Sequence, residues 1–144
     1  MDNHTKFSRS FNMSQIKGKD TKPEVVVRKF LFSKGLRYRK NYNKLPGHPD
    51  VVFPKYRTVV FINGCFWHGH QDCKYSRLPH TNKDFWEAKI NSNILRDKTQ
   101  HSMIREMGWQ VIVIWTCELK GLNKVKRLEQ LYLDIINNSM NGGN

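Results

Sequence analysis

Acidic side chains are scarce in this 144-residue chain: 12 Asp and Glu stand against 25 Lys and Arg, a formal net charge of +13 with an isoelectric point near 9.9. That imbalance excludes an acidic or neutral protein and implies a polyanionic partner, either nucleic acid or an anionic membrane surface. Long apolar runs are missing too. The longest, residues 59–62 and 111–115, fall far short of the roughly 18 residues of a membrane span and read as strands. The first ten residues are polar and lack the apolar centre of a signal peptide, so the expected compartment is a reducing cytoplasm. Only three cysteines are present. Their odd number argues against disulfides, and two lie close to histidines, which points to metal ligation or a reactive thiol. What remains, 38% hydrophobic and 12% aromatic residues, suffices for one compact core.

Residues 1–19, rich in Ser, Asn and Lys without periodicity, read as a flexible basic arm, residues 20–136 as a single domain, and the Asn- and Gly-rich residues 137–144 as a disordered tail. Thr21 and Glu24 fit a capping box, Pro23 is tolerated in a first helical turn, and Val26, Val27, Phe30 and Leu31 form an apolar stripe before Gly35. Leu36 to Tyr42 alternates like a strand with basic outward positions, and residues 45–49 have loop chemistry. Val51 to Phe53 and Thr58 to Ile62 read as short strands joined by a turn. A helix is expected from about Lys83 to Met107, with Trp86, Ile90, Ile94, Met103, Ile104 and Met107 on one broad face and Gly108 as its stop. Trp109 to Trp115 has the continuous apolar character of a strand covered on both faces. A last helix, Leu122 to Ile136, repeats apolar residues at 122, 125, 128, 131 and 135. This order predicts an α/β sandwich around a mixed central sheet flanked by helices. No helix carries a sustained heptad seam, and a monomer is expected.

Cys65, His70 and Cys73 fall within nine residues, and Cys117 lies just past the last strand. Three thiolates and an imidazole suit tetrahedral zinc, and four protein ligands mark a structural site. In the competing reading Cys117 is a small buried hydrophobe and the other two are incidental. Between Cys65 and His70 sit Phe66, Trp67 and His68; rings on so short a loop either cap the core or form a wedge that stacks on bases, and Trp86 has the same two readings.

From Val25 to Gln71 the one acidic residue is Asp50, amid nine Lys or Arg. A carboxylate repels phosphate, so it suits a nucleic-acid binder when it holds a divalent cation. An Asx turn after Pro49 or a salt bridge to arginine is the alternative. Pairing of the two short strands would bring Asp50 beside Asn63 and the His68 loop, a metal site next to a candidate general base.

Pro49-Asp50, the block Phe61-Ile62-Asn63-Gly64-Cys65-Phe66-Trp67-His68-Gly69-His70, Phe85-Trp86 and Gly108-Trp109 resemble the very short patch repair (Vsr) DNA mismatch endonucleases, as does the leading stretch from Met13 to Thr21. The likeness spans about residues 13–120. It implies a restriction-endonuclease-like core with a structural zinc site. It implies an activity that nicks one strand of duplex DNA 5′ of the thymine in a T:G mismatch left by 5-methylcytosine deamination. Mg2+ would be held by Asp50 and the Ile62 backbone carbonyl. By the same resemblance His68 is the catalytic histidine, Glu24 supports the site, and Phe66, Trp67 and Trp86 intercalate beside the mismatch. Cys65, His70, Cys73 and Cys117 are then the zinc ligands. A companion cytosine methyltransferase and other repair proteins are the implied partners. Asn63 departs from the family, whose best-known members carry histidine there, so its part in the site is reduced to hydrogen bonding. The His70-to-Cys73 spacing is one residue longer, through Gln71-Asp72.

Ten of the 25 basic residues lie between Lys17 and Lys44, and Lys17, Lys19, Arg37, Arg39 and Lys40 are expected to cradle DNA. Two other functions fit the same charge: a zinc-stabilised DNA-binding module without chemistry, and a restriction nuclease acting on matched DNA. The catalytic readings alone need Asp50 and His68.

Overall fold

The computed structural model describes residues 21–40 and 42–142, the last four for their backbone alone; the expected arm, with Lys17 and Lys19, lies outside them. Three strands, β1 (Val51–Phe53), β2 (Thr58–Asn63) and β3 (Gln110–Trp115), and three helices, α1 (Lys22–Ser33), α2 (Lys83–Glu106) and α3 (Lys124–Gly142), carry the architecture. The sheet order is β1-β2-β3, antiparallel between β1 and β2 and parallel between β2 and β3. It is therefore the mixed sheet expected.

Period-two alternation divides the strands between two cores. Val51, Phe53, Val60, Ile112 and Ile114 pack with Val27 and Leu31 of α1 and Leu128, Leu131 and Ile135 of α3. Val52, Val59 and Phe61 face the other way, with Leu45 and with Ile104 of α2. The sheet is thus a middle layer between α1 and α3 on one side and α2 on the other, and the β2–α2–β3 connection makes the parallel pairing possible.

Several elements differ from the sequence reading. The strand expected from Leu36 to Tyr42 is one antiparallel bridge between Arg39 and Val52, because β1 offers only three residues at that edge. The Thr21 side chain makes no cap hydrogen bond, so the capping box with Glu24 is not formed, and Glu24 pairs with Arg28 instead. The helix α2 ends at Glu106, one residue before the expected Met107, and Met103 and Met107 are exposed although Ile90 and Ile104 are buried. Leu122 precedes α3 in a short 3-10 turn. It and Val125 face solvent, and the buried stripe of α3 is Leu128, Leu131 and Ile135. The same helix runs past Ile136 to Gly142, so residues 137–142 are helical rather than a disordered tail. Asn138 helps to hold that turn, donating from Nδ2 to the Tyr56 carbonyl at 2.7 Å.

Arg57, with φ of +46°, ends the β1–β2 turn and ties it to α2. Its guanidinium donates to the carbonyls of Met107 at 3.0 Å and Gly108 at 3.3 Å, satisfying acceptors at the helix C-terminus. Among the described residues no helix is long and apolar enough to cross a membrane.

Candidate active site

A cleft of about 760 Å³ opens at the end of β2, and Glu24, Asp50, Ile62, Asn63 and His68 all line it. Asp50 arrives there because β1 and β2 pair with Val51 opposite Val60, which sets the residue before β1 beside Phe61 and Ile62 near the end of β2. Its Oδ2 accepts the Ile62 N–H at 2.7 Å. Burial pushes the Asp50 carboxyl from its ordinary 3.8 up to about 7; the Ile62 N–H opposes the rise, Glu24 adds to it, and Arg28 pulls it down. Asn63 is buried at the end of β2, opposite Trp115 of β3.

His68 lies 2.6 Å through Nδ1 from Asp97 Oδ2 on α2. A carboxylate only accepts, so the proton is assigned to Nδ1, leaving the Nε2 lone pair available as a base. Next in the chain, Gly69 has φ of +63°, and a Cβ there would sit 2.6 Å from Ile94 Cδ1 and 2.8 Å from Ile90 Cγ2. Only glycine lets this loop lie so close against α2.

Phe66, Trp67 and Trp86 form one edge-to-face cluster with ring centroids 5.2 to 5.7 Å apart, none of them fully buried. Phe85 continues it, 5.2 Å from Trp86 and 61% exposed.

On the other side of the loop the donor atoms of Cys65, His70, Cys73 and Cys117 lie within 4.8 Å of one another, a group that could hold a metal ion. Between His70 and Cys73 the chain turns at Asp72, which takes φ of +55°. His70 stacks flat on Trp115, centroids 4.1 Å apart. Burial opposes ionisation of Cys65, yet hydrogen bonds from Thr116 and from Cys117 hold its thiol below the ordinary 9.0. Burial and the neighbouring Cys65 push Cys117 up to about 12. One thiolate therefore suppresses the next unless a cation joins them, and the donor set fits a metal.

A family model described as DNA mismatch endonuclease Vsr matches residues 1–75. The chain belongs to the Vsr family. It is 50% identical over 137 residues to the "Type II nicking enzyme V.NmeAIP" of Neisseria meningitidis serogroup A, covering 93% of this chain and 96% of that protein. It is 42% identical over 126 residues to "Type II nicking enzyme V.XorIIP" of Xanthomonas oryzae pv. oryzae, 88% and 92% of the two chains. Over 124 residues it is 41% identical to "DNA mismatch endonuclease Vsr" of Escherichia coli K12, 86% and 79% of the two chains.

Two parts of this Vsr-family cleft are not evident in the sequence reading. Lys89, Asn93, Arg96, Asp97 and Gln100 of α2 all line it. Their spacing of 4, 3, 1 and 3 puts them on one helical face, a polar stripe beside apolar Ile90 and Ile94. Of the basic residues expected to cradle DNA, Arg37, Arg39 and Lys40 are exposed after α1 and outside the cleft lining, Arg37 lying over the Phe32 ring; among the described residues, Lys89 and Arg96 are the Lys and Arg side chains that line the cleft.

Because the folded value of Asp50 exceeds the unfolded one, the stability gained from its neutral form is complete below pH 3.8 and is lost as pH rises through 7. In buffer without added magnesium, Asp50→Asn should unfold later than wild type in urea at pH 8, by up to about 4 kcal/mol, with no difference near pH 4. Equal stability at pH 8 would contradict the buried-carboxylate account. Gly69→Ala should push the loop off α2 and lower DNA nicking by about 100-fold with little change in circular dichroism, and adding Ile94→Ala should recover part of the loss. A fully active Gly69→Ala enzyme would show that this close approach is dispensable.

Proposed function

We propose that this chain nicks one strand of duplex DNA 5′ of the thymine in a T:G mismatch arising from 5-methylcytosine deamination, leaving a 5′-phosphate and starting very short patch repair. The observation that carries this reading is the meeting, in one cleft, of the largely buried Asp50 carboxylate, the His68–Asp97 pair and Trp67, whose ring is 5.7 Å from that of Trp86. The names of the relatives, a mismatch endonuclease and strand-nicking enzymes, support it. In this reading residues 20–136 are a single restriction-endonuclease-like domain acting as a cytoplasmic monomer, with a companion cytosine methyltransferase setting the sequence context.

Asp50 and the Ile62 carbonyl are the proposed Mg2+ ligands, and a carboxyl held near pH 7 by burial fits a group that ionises fully only when a cation is present. Bound there, Mg2+ would neutralise the scissile phosphate and acidify water. Glu24 adds negative charge beside Asp50, and buried Arg28 keeps the pair from full mutual repulsion. His68 Nε2 takes the proton from the attacking water, and Asp97 fixes the ring and stabilises the imidazolium that results. Asn63 contributes a hydrogen bond at the phosphate. Cys65, His70, Cys73 and Cys117 are the proposed zinc ligands. With Zn–S bonds of about 2.3 Å, tetrahedral sulfurs lie about 3.8 Å apart, inside the observed spacing.

Phe66, Trp67 and Trp86 are the proposed wedge, and a mispair lowers the few kcal/mol that unstacking costs, so selectivity arises without many base-edge contacts. Lys17, Lys19, Arg37, Arg39 and Lys40 are proposed phosphate contacts, the last three standing outside the cleft lining.

Strand-labelled duplexes carrying T:G, T:A or C:G at one position test the assignment. With magnesium, the wild type should nick only the thymine strand of the T:G duplex. Asp50→Ala should abolish nicking while binding is kept, and His68→Ala should lower it by roughly 100- to 10,000-fold. A wild type that binds but never nicks would leave the non-catalytic DNA-binding module standing, and double-strand breaks in matched DNA would favour a restriction nuclease.

A further inference from the structure

The proposed wedge residue Trp67 and the proposed base His68 are neighbours on one loop, and α2 grips three consecutive residues of that loop. Asn93 Nδ2 donates to the Trp67 carbonyl at 2.9 Å. One helical turn later, Asp97 holds His68 Nδ1 at 2.6 Å. Gly69 fits against Ile90 and Ile94. Asn93 is only 6% exposed, and an amide at so buried a position is favourable only while its hydrogen bonds are made. Leucine would fill a similar volume at that point of α2, beside Ile90 and Ile94, without that requirement. The amide is therefore explained by what it holds, and what it holds is the peptide joining the wedge to the base.

We propose that Asn93 is a positioning residue that couples the aromatic wedge to His68. The inference rests on the endonuclease reading above. The rings of Phe66, Trp67 and Trp86 touch one another, and Trp86 lies on α2 itself, seven residues before Asn93 and about 10 Å along the axis. Rings pressed into a base stack push back on the Trp67 backbone. With its carbonyl bonded to Asn93, that peptide cannot rotate, so the ring position and the His68 position stay in fixed register on one rigid helix. A duplex that admits the rings at a mispair then presents its phosphate to a correctly placed Nε2. A matched duplex that resists the rings leaves its phosphate out of reach. Without the Asn93 bond, insertion and proton transfer are separately adjustable, and the rate on the mismatch falls because an error of about 1 Å at a reacting centre is enough to cost up to about 100-fold.

The test uses the full chain loaded with its metals and duplexes that carry 2-aminopurine beside either T:G or T:A. Asn93→Leu removes the donor at nearly constant volume, Asn93→Ser removes its reach and serves if the leucine variant does not fold, and Asn93→Gln keeps a donor. The expected result for Asn93→Leu or Asn93→Ser is a T:G nicking kcat at least about tenfold lower, unchanged KM, an unchanged 2-aminopurine rise on binding and a smaller T:G to T:A nicking ratio, with Asn93→Gln recovering most of the rate. His68→Ala is the control for insertion without chemistry and should keep the full fluorescence rise. Wild-type kcat and ratio in the leucine and serine variants would overturn the coupling. So would a parallel fall of fluorescence and rate, which marks a general structural role. A wild type that shows the fluorescence rise but does not nick T:G overturns the endonuclease reading itself, a result distinguishable from either failure of Asn93.

Discussion

The cleft depends on one loop being held from two sides. Residues 64–70 follow directly from β2, and their backbone folds back on itself, the amides of His68 and His70 bonding to the carbonyls of Gly64 and Cys65. On one flank the loop delivers Cys65 and His70 to the four-donor cluster; on the other it is pressed onto α2 through Trp67, His68 and Gly69. A loop this rich in glycine has a large conformational entropy to lose, and neither flank alone removes it. Held from both, it presents an imidazole and two large rings in defined positions without a strand or helix of its own.

Burial of Asp50 is the second constraint, and it opposes stability. A carboxyl raised to about 7 by its surroundings makes the fold weaker at neutral pH unless a cation compensates. The protein tolerates that cost in a basic chain whose other charges would attract phosphate in any case. Selectivity for a place on the DNA cannot come from +13 of net charge, because counterion release is indifferent to sequence. It has to come from the few groups that break the field or leave the surface plane: Asp50, the His68–Asp97 pair and the rings.

Much of this was legible in the sequence, for identifiable reasons. Runs of alternating or continuous apolar residues located β1, β2, β3 and the long helix, and the spacing of Cys65, His70 and Cys73 located the cluster, since soft ligands within nine residues are rarely accidental. The shortness of the β1–β2 connection already brought Asp50 to the end of β2. The segment 36–42 alternates without forming a strand because alternation reports which side chains are covered, and Leu36 and Tyr38 are covered without a strand partner of any length. Asp97 and Asn93 were hidden for the opposite reason. On a helix with many charged residues, a half-buried acid and a buried amide look like its solvent face until the loop that covers them is in place, all the more with Arg96 and Lys98 on either side of Asp97. The stripe at 89, 93, 96, 97 and 100 was the available signal, an unbroken polar line next to the apolar face. The composition of residues 137–142 suggests a tail, and the hydrogen bond from Asn138 across to Tyr56 is invisible to composition.

The central claim is that the loop's two anchors act together, and metal removal tests it most directly. The purified protein should carry one equivalent of zinc. Stripping it with a thiol-compatible chelator should lower the melting temperature and abolish T:G nicking in magnesium together, and zinc added back should restore both. A metal-free protein that melts and nicks as the wild type does would contradict the account.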